Sequence, residues 1–518
     1  MSKEPYNDAE WILDRNLELG RGDRTAIRCR GESLTYNDLL SQVWRVQNAL
    51  TMLQVRPGDR VLLVLNDDPD FVAWFLGCLR SGVVPVPVST MLTGADLGTI
   101  AADCGTRLLV IADEYANSVD MIVAASSDLG TVIAVGKDTP KFSTGQVDFR
   151  LWSSVSDHSE ALAAATSKDA SAFWLYSSGT TGLPKGVIHR HGDLQATFDT
   201  YASKVLNITS EDRCLSVAKL FFAYGLGNSL TFPLAAGACA ILEPRRPTPA
   251  MFVDTIREAK PTLFFTAPGF VAALLDTDTA RESFASVRAT MTAGEALPAD
   301  LQRRFSERFG HPVLDGIGST EALHIFISNT LADQRPGTSG HVVPGYEAKL
   351  LRDDGSEVTE PETPGYLHVR GPSIMSGYWN REEATTANLV DAWLRTGDVY
   401  TRSSDDYWTF LGRNNDMIKA GGIWVSPAEV EAVLIEHPDV LEAAVVGARN
   451  DTGLEEAVAF VVARAGRTID AQSVDAFCRT KMAAFKRPRR LFVVESLPKT
   501  ATGKIQRFAL RDQLASRR

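Results

Sequence analysis

Residues 176–186 read Tyr-Ser-Ser-Gly-Thr-Thr-Gly-Leu-Pro-Lys-Gly. The run before them, residues 172–176, is apolar and predicts a strand, and the Gly, Ser and Thr that follow break it. Small residues let backbone N–H groups approach a ligand, and hydroxyls add donors, which suits phosphate oxygens. Composition alone weighs a plain Gly/Ser connection equally. The nucleotide P-loop needs Gly-Lys-[Ser/Thr] opening a helix. Here Lys185 follows Pro184 and precedes Gly186. That order puts the lysine on a flexible loop, as a mobile clamp for a phosphate group that departs.

Outward from this stretch the chain alternates strand and helix patterns. Toward the N-terminus, Leu39, Val43, Val46, Leu50 and Leu53 mark one face of a helix. Residues 61–65 are a continuous apolar run, as in a strand covered on both faces. Asp68-Pro69 opens a second helix that Gly82 closes. Short apolar runs recur at 108–112 and 131–135. Toward the C-terminus the runs 238–242, 262–265 and 289–292 read as strands, with a helix at 301–309. Strands separated by helices predict an α/β fold with a parallel sheet. From about residue 345 the pattern changes to alternation at 346–351 and 366–370 around Asp353-Asp354-Gly355, an antiparallel ribbon or barrel part. After Gly412-Arg413 a helix (427–436), strands (441–447, 457–463), a helix (470–481) and a strand (491–494) predict a small α+β unit. The expected division is a large domain of α/β subdomains, residues 1–412, and a small mobile domain, residues 413–518, joined by a short polar hinge.

The chain has 518 residues, 44% hydrophobic and 23% charged. Length alone would predict roughly three domains. With 53 Lys and Arg against 64 Asp and Glu, the net charge is −11. That balance argues against a nucleic-acid or anionic-membrane partner, though not against a local basic pocket. The six cysteines (29, 78, 104, 214, 239, 478) form no C-x-x-C pair, so neither a zinc site nor a disulfide framework is expected. The N-terminus lacks a signal-peptide core, and the apolar stretch 71–88 is broken by Arg80, Pro85 and Pro87. A cytoplasmic protein is expected, with its oligomeric state open and a homodimer among the options.

Six stretches, in order, resemble the adenylate-forming superfamily of acyl- and aryl-CoA synthetases, peptide-synthetase adenylation domains and luciferases. Residues 176–186 resemble its phosphate loop. Thr292-Ala-Gly-Glu-Ala-Leu-Pro298 resembles its adenine-side loop, and Asp315-Gly-Ile-Gly-Ser-Thr-Glu321 the segment ending in Thr-Glu. Trp393-Leu-Arg-Thr-Gly-Asp398 resembles the ribose element, Gly412-Arg-Asn-Asn-Asp-Met-Ile-Lys419 the interdomain hinge, and Pro498-Lys-Thr-Ala-Thr-Gly-Lys504 the catalytic-lysine loop. The likeness spans roughly residues 20–515.

The resemblance implies ATP, Mg²⁺ and coenzyme A as reactants and cofactor. It implies Ser177, Ser178, Gly179, Thr180, Thr181, Gly182 and Lys185 around phosphates. Gly294, Glu295, Ala296, Asp315, Gly316 and Ile317 fall on the adenine side, where Ile317 replaces the aromatic of many relatives. Thr320 is implied at the α-phosphate, Glu321 on Mg²⁺, and Asp398 and Arg413 at the ribose. Lys504 is implied as the lysine bridging substrate carboxylate and α-phosphate, and Lys499 is read as a solvated lysine. Asn415 stands at the hinge position, where relatives carry Asp or Lys. Gly421 and Gly422 would admit a pantetheine arm.

Residues 219–228 and 315–326 closely resemble the benzoate-CoA ligase branch. By that match Phe222, Ala223, Tyr224, Gly318, His324 and Ile325 line a flat, mostly apolar pocket for a small aromatic acid. No acidic residue lies between Lys219 and Pro233, which disfavours an amino-acid substrate. Three alternatives stay open: loading of a carrier-protein pantetheine, activation of alicyclic or medium-chain acids, and a catalytically dead adenylate binder. Lys504 is also read as a regulatory acetylation site.

Overall fold

Alternate residues of single strands serve different cores, and that division explains the layering. In the computed structural model, which describes residues 4–136, 147–177, 184–420, 423–450, 455–499 and 505–516, Arg60–Val64 sits inside a five-stranded parallel sheet. The strand order is Val84–Pro87, Arg60–Val64, Leu108–Ala112, Thr131–Val135, Asp148–Leu151. Val61 and Leu63 pack with the helices Tyr36–Met52 and Pro69–Arg80. Leu62 and Val64 pack on the other side with Gly94–Cys104 and Val119–Ala125. A continuous apolar run is what a strand buried on both faces requires. Pro85 and Pro87 fall on the sheet's edge, where missing ladder donors are tolerated. The helix at Asp68 starts as its sequence predicts, and the one before it carries a cap of its own. Thr35 and Asp38 form a reciprocal cap, and Asp68 accepts from the Phe71 amide at 3.1 Å.

A second, nine-stranded sheet carries the middle of the chain. Its five parallel pairings join Thr25–Cys29, Cys239–Leu242, Arg213–Ser216, Leu263–Thr266, Ala289–Thr292 and Val313–Gly318. Antiparallel strands finish both edges: Glu32–Thr35 at one, Ile325–Ser328 and His341–Val342 at the other. Parallel strands deliver their carboxyl ends to one side, the usual position of a ligand crevice in α/β sheets. Thr266, Thr292 and Asp315 stand there as register partners in sequence.

A three-stranded sheet joins Ser171–Ser177, Lys185–Arg190 and Gly377–Tyr378. The expectation of Lys185 on a loop is corrected here. It is the first residue of a strand and the register partner of Ser177. Val187 and His189 point inward and are fully buried, a two-residue period that fixes the strand. The expected ribbon is present as Glu347–Leu351, Gly365–Arg370 and Trp393–Arg402, with Trp408–Arg413 paired to the last.

The C-terminal part is a smaller α+β unit. Val440–Arg449, Glu455–Ala463 and Arg490–Val493 form its sheet. Val445, Ala459 and Val461 pack under the helices Pro427–Ile435 and Ala471–Lys481, while Ala444, Val446 and Phe460 face Arg507–Ser516. All six cysteines are free and buried. Among the described residues no helix is long and apolar enough to cross a membrane.

Candidate active site

Ser177 and Lys185 face each other as the last register pair before the loop of their hairpin. The Lys185 Nζ lies 5.2 Å from the centre of the Tyr378 ring, and the Tyr378 hydroxyl donates to Glu321 Oε1 at 3.0 Å. Burial, and then the Glu321 charge, push the Tyr378 phenol upward, so it remains a donor. The loop end of the hairpin is braced from outside. The Tyr176 hydroxyl donates to Asp103 Oδ2 at 2.7 Å, and Arg381 Nη2 reaches Asp103 Oδ1 at 2.7 Å.

The Thr320–Glu321 turn is held from two sides. His189 Nε2 contacts the Thr320 carbonyl at 2.8 Å, with Asp193 Oδ2 3.2 Å behind its Nδ1. The Met375 amide donates to the Glu321 carbonyl at 2.8 Å. Residues 319–324 are the whole connection between Val313–Gly318 and Ile325–Ser328. Thr320, Glu321 and His324 therefore share one short turn.

At the carboxyl ends of the parallel strands, Thr292 Oγ1 donates to Asp315 Oδ1 at 2.8 Å. Burial pushes the Asp315 carboxyl up to about 7, against the opposing effect of that hydroxyl and nearby backbone donors. The Asn329 backbone and side-chain amides both donate to the Asp315 carbonyl, at 3.0 and 3.1 Å. Gly294 has φ +96°, a conformation open to glycine. Glu295 does not point to this group: its Oε1 accepts from the Ile505 amide of the small domain at 3.1 Å. Ile317 is half-buried against the neighbouring core, and Gly316 packs so closely that a Cβ there would meet the Ile327 carbonyl at 2.9 Å.

Asp398 and Arg413 are cross-strand register partners, with Arg413 Nε 3.0 Å from Asp398 Oδ1. Arg413 Nη1 also donates to the Thr396 carbonyl at 2.9 Å. Asn415 follows in the short turn Asn414–Asp416. Lys499 pairs with Glu442 at 2.8 Å within the small domain. Ser178, Gly179, Thr180, Thr181, Gly182, Gly421, Gly422 and Lys504 lie outside the described residues.

The pocket residues converge. Gly318 and Ile325 are register partners, so the turn projects His324 beside them. The His324 ring lies 5.5 Å from Tyr224, 5.1 Å from Tyr201 and 4.6 Å from Phe232, centre to centre. Tyr224 donates to the Met291 carbonyl at 3.2 Å. Phe222 precedes Ala223 at the start of the helix Ala223–Leu226 and packs edge-on against Phe221. That helix runs into a π-helical turn, Gly227–Thr231, a deformation frequent at functional sites. At Gly227 a Cβ would lie 2.4 Å from His324 Cδ2, so glycine makes room for the imidazole. Neither His324 ring nitrogen has a well-formed hydrogen bond among the described residues. Burial lowers this imidazole to about 3, a nearby Tyr224 backbone group opposing only slightly. A neutral ring in an aromatic cage leaves no fixed charge on that wall.

The AMP-binding enzyme model matches residues 14–379, and the AMP-binding enzyme C-terminal domain model matches residues 429–504. This chain belongs to the AMP-binding enzyme family. It is 43% identical to a benzoate–CoA ligase of Thauera aromatica over 98% of this chain and 96% of that one. Its fold superposes on the anthranilate CoA ligase AuaEII in complex with anthranoyl-AMP with a TM-score of 0.94, at 36% identity, covering 99% and 98% of the two chains. A benzoate CoA ligase from Burkholderia xenovorans LB400 gives a TM-score of 0.89 at 39% identity, covering 98% and 100%.

Within this AMP-binding enzyme, five contacts carry no local sequence signature: Tyr378 on Glu321, His189 with Asp193 under Thr320, Asp103 under the Ser177–Lys185 hairpin, and Tyr201 and Phe232 around His324. The sequence offers one faint signal, the two-residue alternation from Val187 to His189, which aims His189 inward.

Proposed function

We propose that the protein is an ATP-dependent aryl-CoA ligase acting on benzoate or a close aromatic acid, working in the cytoplasm. The observation that carries this is the single turn that presents Thr320 and Glu321 beside the uncharged aromatic cage of His324, Tyr224, Tyr201 and Phe232. A ring resting against that cluster brings its carboxylate to the phosphate side.

The substrate carboxylate oxygen attacks the α-phosphorus of ATP, and the bond to the leaving pyrophosphate breaks. The thiol of coenzyme A then attacks the acyl carbon of the adenylate, and AMP leaves. Both partners of the first step are anionic, so cationic groups and oriented donors must offset their repulsion. Lys185 serves the phosphates, Thr320 the α-phosphate, Asp398 and Arg413 the ribose, and Lys504 the developing charge between carboxylate and phosphorus.

Among the described residues no cluster of three His, Cys, Asp or Glu forms a protein-only metal cage. That fits Mg²⁺, which takes one or two carboxylates together with substrate phosphates. Glu321 would hold it, oriented by Tyr378, and the ion would supply charge neutralisation to the phosphates.

The domain boundary falls at residues 412 and 413. The turn at Asn414–Asp416 is the hinge about which the small domain shifts between the two half-reactions, and the family resemblance assigns Gly421 and Gly422 to the pantetheine arm. Free, buried cysteines suit a reducing compartment. The absence of an acidic partner between Lys219 and Pro233 supports an acid without an α-amino group.

The test is pyrophosphate release and thioester formation with free coenzyme A and a panel of aromatic, alicyclic, medium-chain and amino acids. Turnover greatest with benzoate or a simple ring-substituted analogue is expected. Turnover only with a carrier protein, or only with aliphatic acids, would reject the proposal.

A further inference from the structure

The Ile505 amide, one peptide bond beyond Lys504, donates to Glu295 Oε1 at 3.1 Å. The donor belongs to the small domain and the acceptor to the loop after Ala289–Thr292 in the large one. Two residues further, Arg507 Nη2 holds both oxygens of Glu431, at 2.7 and 2.8 Å. Glu431 in turn accepts from the Val445 amide at 2.7 Å, which fixes Arg507 to its own sheet. Glu295 is close enough for its charge to act on both Arg507 and Glu431. It is attracted by the guanidinium and the Ile505 amide and repelled by the second carboxylate. Such a contact biases one arrangement of the domains without locking it.

Glu295 sits in the Gly-Glu-Ala triplet that the sequence assigns to adenine. Its carboxylate is instead spent on the other domain. We propose that Glu295 is a docking residue that holds the Ile505–Arg507 segment against the nucleotide-side loop during adenylation, and is a positioning residue rather than a nucleotide ligand. The inference rests on the aryl-CoA ligase reading, in which Lys504 acts in the first half-reaction and must withdraw for the second. A residue that secures the Lys504 side of the small domain then matters to adenylate formation and not to thiol attack.

The experiment uses the full chain with Glu295→Ala and Glu295→Gln. It measures acid-dependent pyrophosphate release at varied ATP, thioester formation from supplied benzoyl-adenylate, and thermal unfolding. The expected result for Glu295→Ala is an approximately tenfold lower kcat for pyrophosphate release, the scale of one hydrogen bond to a charged group. The KM for ATP, the thioester step and the melting temperature stay near wild type. Glu295→Gln keeps an oxygen acceptor and should restore most of the rate. A raised KM for ATP at unchanged kcat would return Glu295 to nucleotide binding and overturn the proposal. So would equal losses in both half-reactions, or wild-type behaviour of Glu295→Ala. Failure of the wild-type protein to activate any aromatic acid would instead reject the underlying function.

Discussion

The Tyr378 hydroxyl donates to Glu321 Oε1 at 3.0 Å, joining that carboxylate to the sheet whose neighbouring strand begins at Lys185. Tyr378→Phe removes only that donor and keeps the ring beneath Lys185. The carboxylate then loses its orientation, not its charge. The expected outcome is an approximately tenfold rise in the KM for MgATP, the weight of a hydrogen bond to a charged acceptor. The KM for the acid should stay unchanged. Pyrophosphate release at varied ATP and Mg²⁺ checks it, and an unaltered MgATP dependence would leave Glu321 oriented by other means.

What was legible in the sequence divides by range. The parallel strands were readable because Leu62 and Val64 on one face and Val61 and Leu63 on the other all had to be apolar. The motif loops were readable because their small and charged residues lie consecutively. Tyr378 was not, because its partner Glu321 is 57 positions away and the pairing depends on a two-residue strand added to the Lys185 hairpin. The strand at Lys185 itself was missed for a related reason. Glycine- and proline-rich composition pointed to a loop, while burial of Val187 and His189 by distant elements extended the hairpin down to the lysine. Local propensity yields to tertiary packing in such short strands.

Asp398 is buried while its partner Arg413 is about half exposed, 5% against 51% for the side chains. An ion pair with so exposed a partner contributes little to stability. Asp398→Asn should therefore leave the melting temperature within about 2 °C of wild type. Its cost should appear in nucleotide binding, since Asn replaces a charged double acceptor with a neutral single one. A roughly tenfold or greater rise in the Kd for ATP is expected. Equilibrium titration of nucleotide beside a thermal melt separates the two effects, and a collapse in stability with unchanged ATP affinity would make the pair structural.

Gly227→Ala tests the pocket assignment. Its new Cβ would lie 2.4 Å from His324 Cδ2 and 2.6 Å from Nε2. The imidazole has nowhere easy to retreat, because Tyr201, Tyr224 and Phe232 surround it. Overpacking of this kind costs about 1–3 kcal/mol. The expected result is at least an approximately tenfold drop in kcat/KM for the aromatic acid, with the KM for ATP near wild type. Ring-substituted acids should lose more than benzoate. Undiminished turnover of benzoate would place the ring elsewhere.

The buried His324 also predicts a pH dependence of stability. Its imidazole is lowered to about 3, mainly by burial, from an ordinary value of 6.5. Between those values the unfolded chain binds a proton that the folded chain refuses. His324 thus contributes its full stability above about pH 6.5, and that contribution is lost as the pH falls toward 3. Asp315, raised to about 7, runs in the opposite sense, and His191 and His311, both lowered to about 4, run in the same one. The wild-type profile alone therefore does not isolate this group. The difference from His324→Leu does. Between pH 7 and pH 4 the wild type should lose on the order of 3 kcal/mol more than the variant. Urea unfolding at pH 7, 5.5 and 4 measures it, and parallel profiles would mean that His324 is protonated at no such cost, against its burial in the aromatic cage.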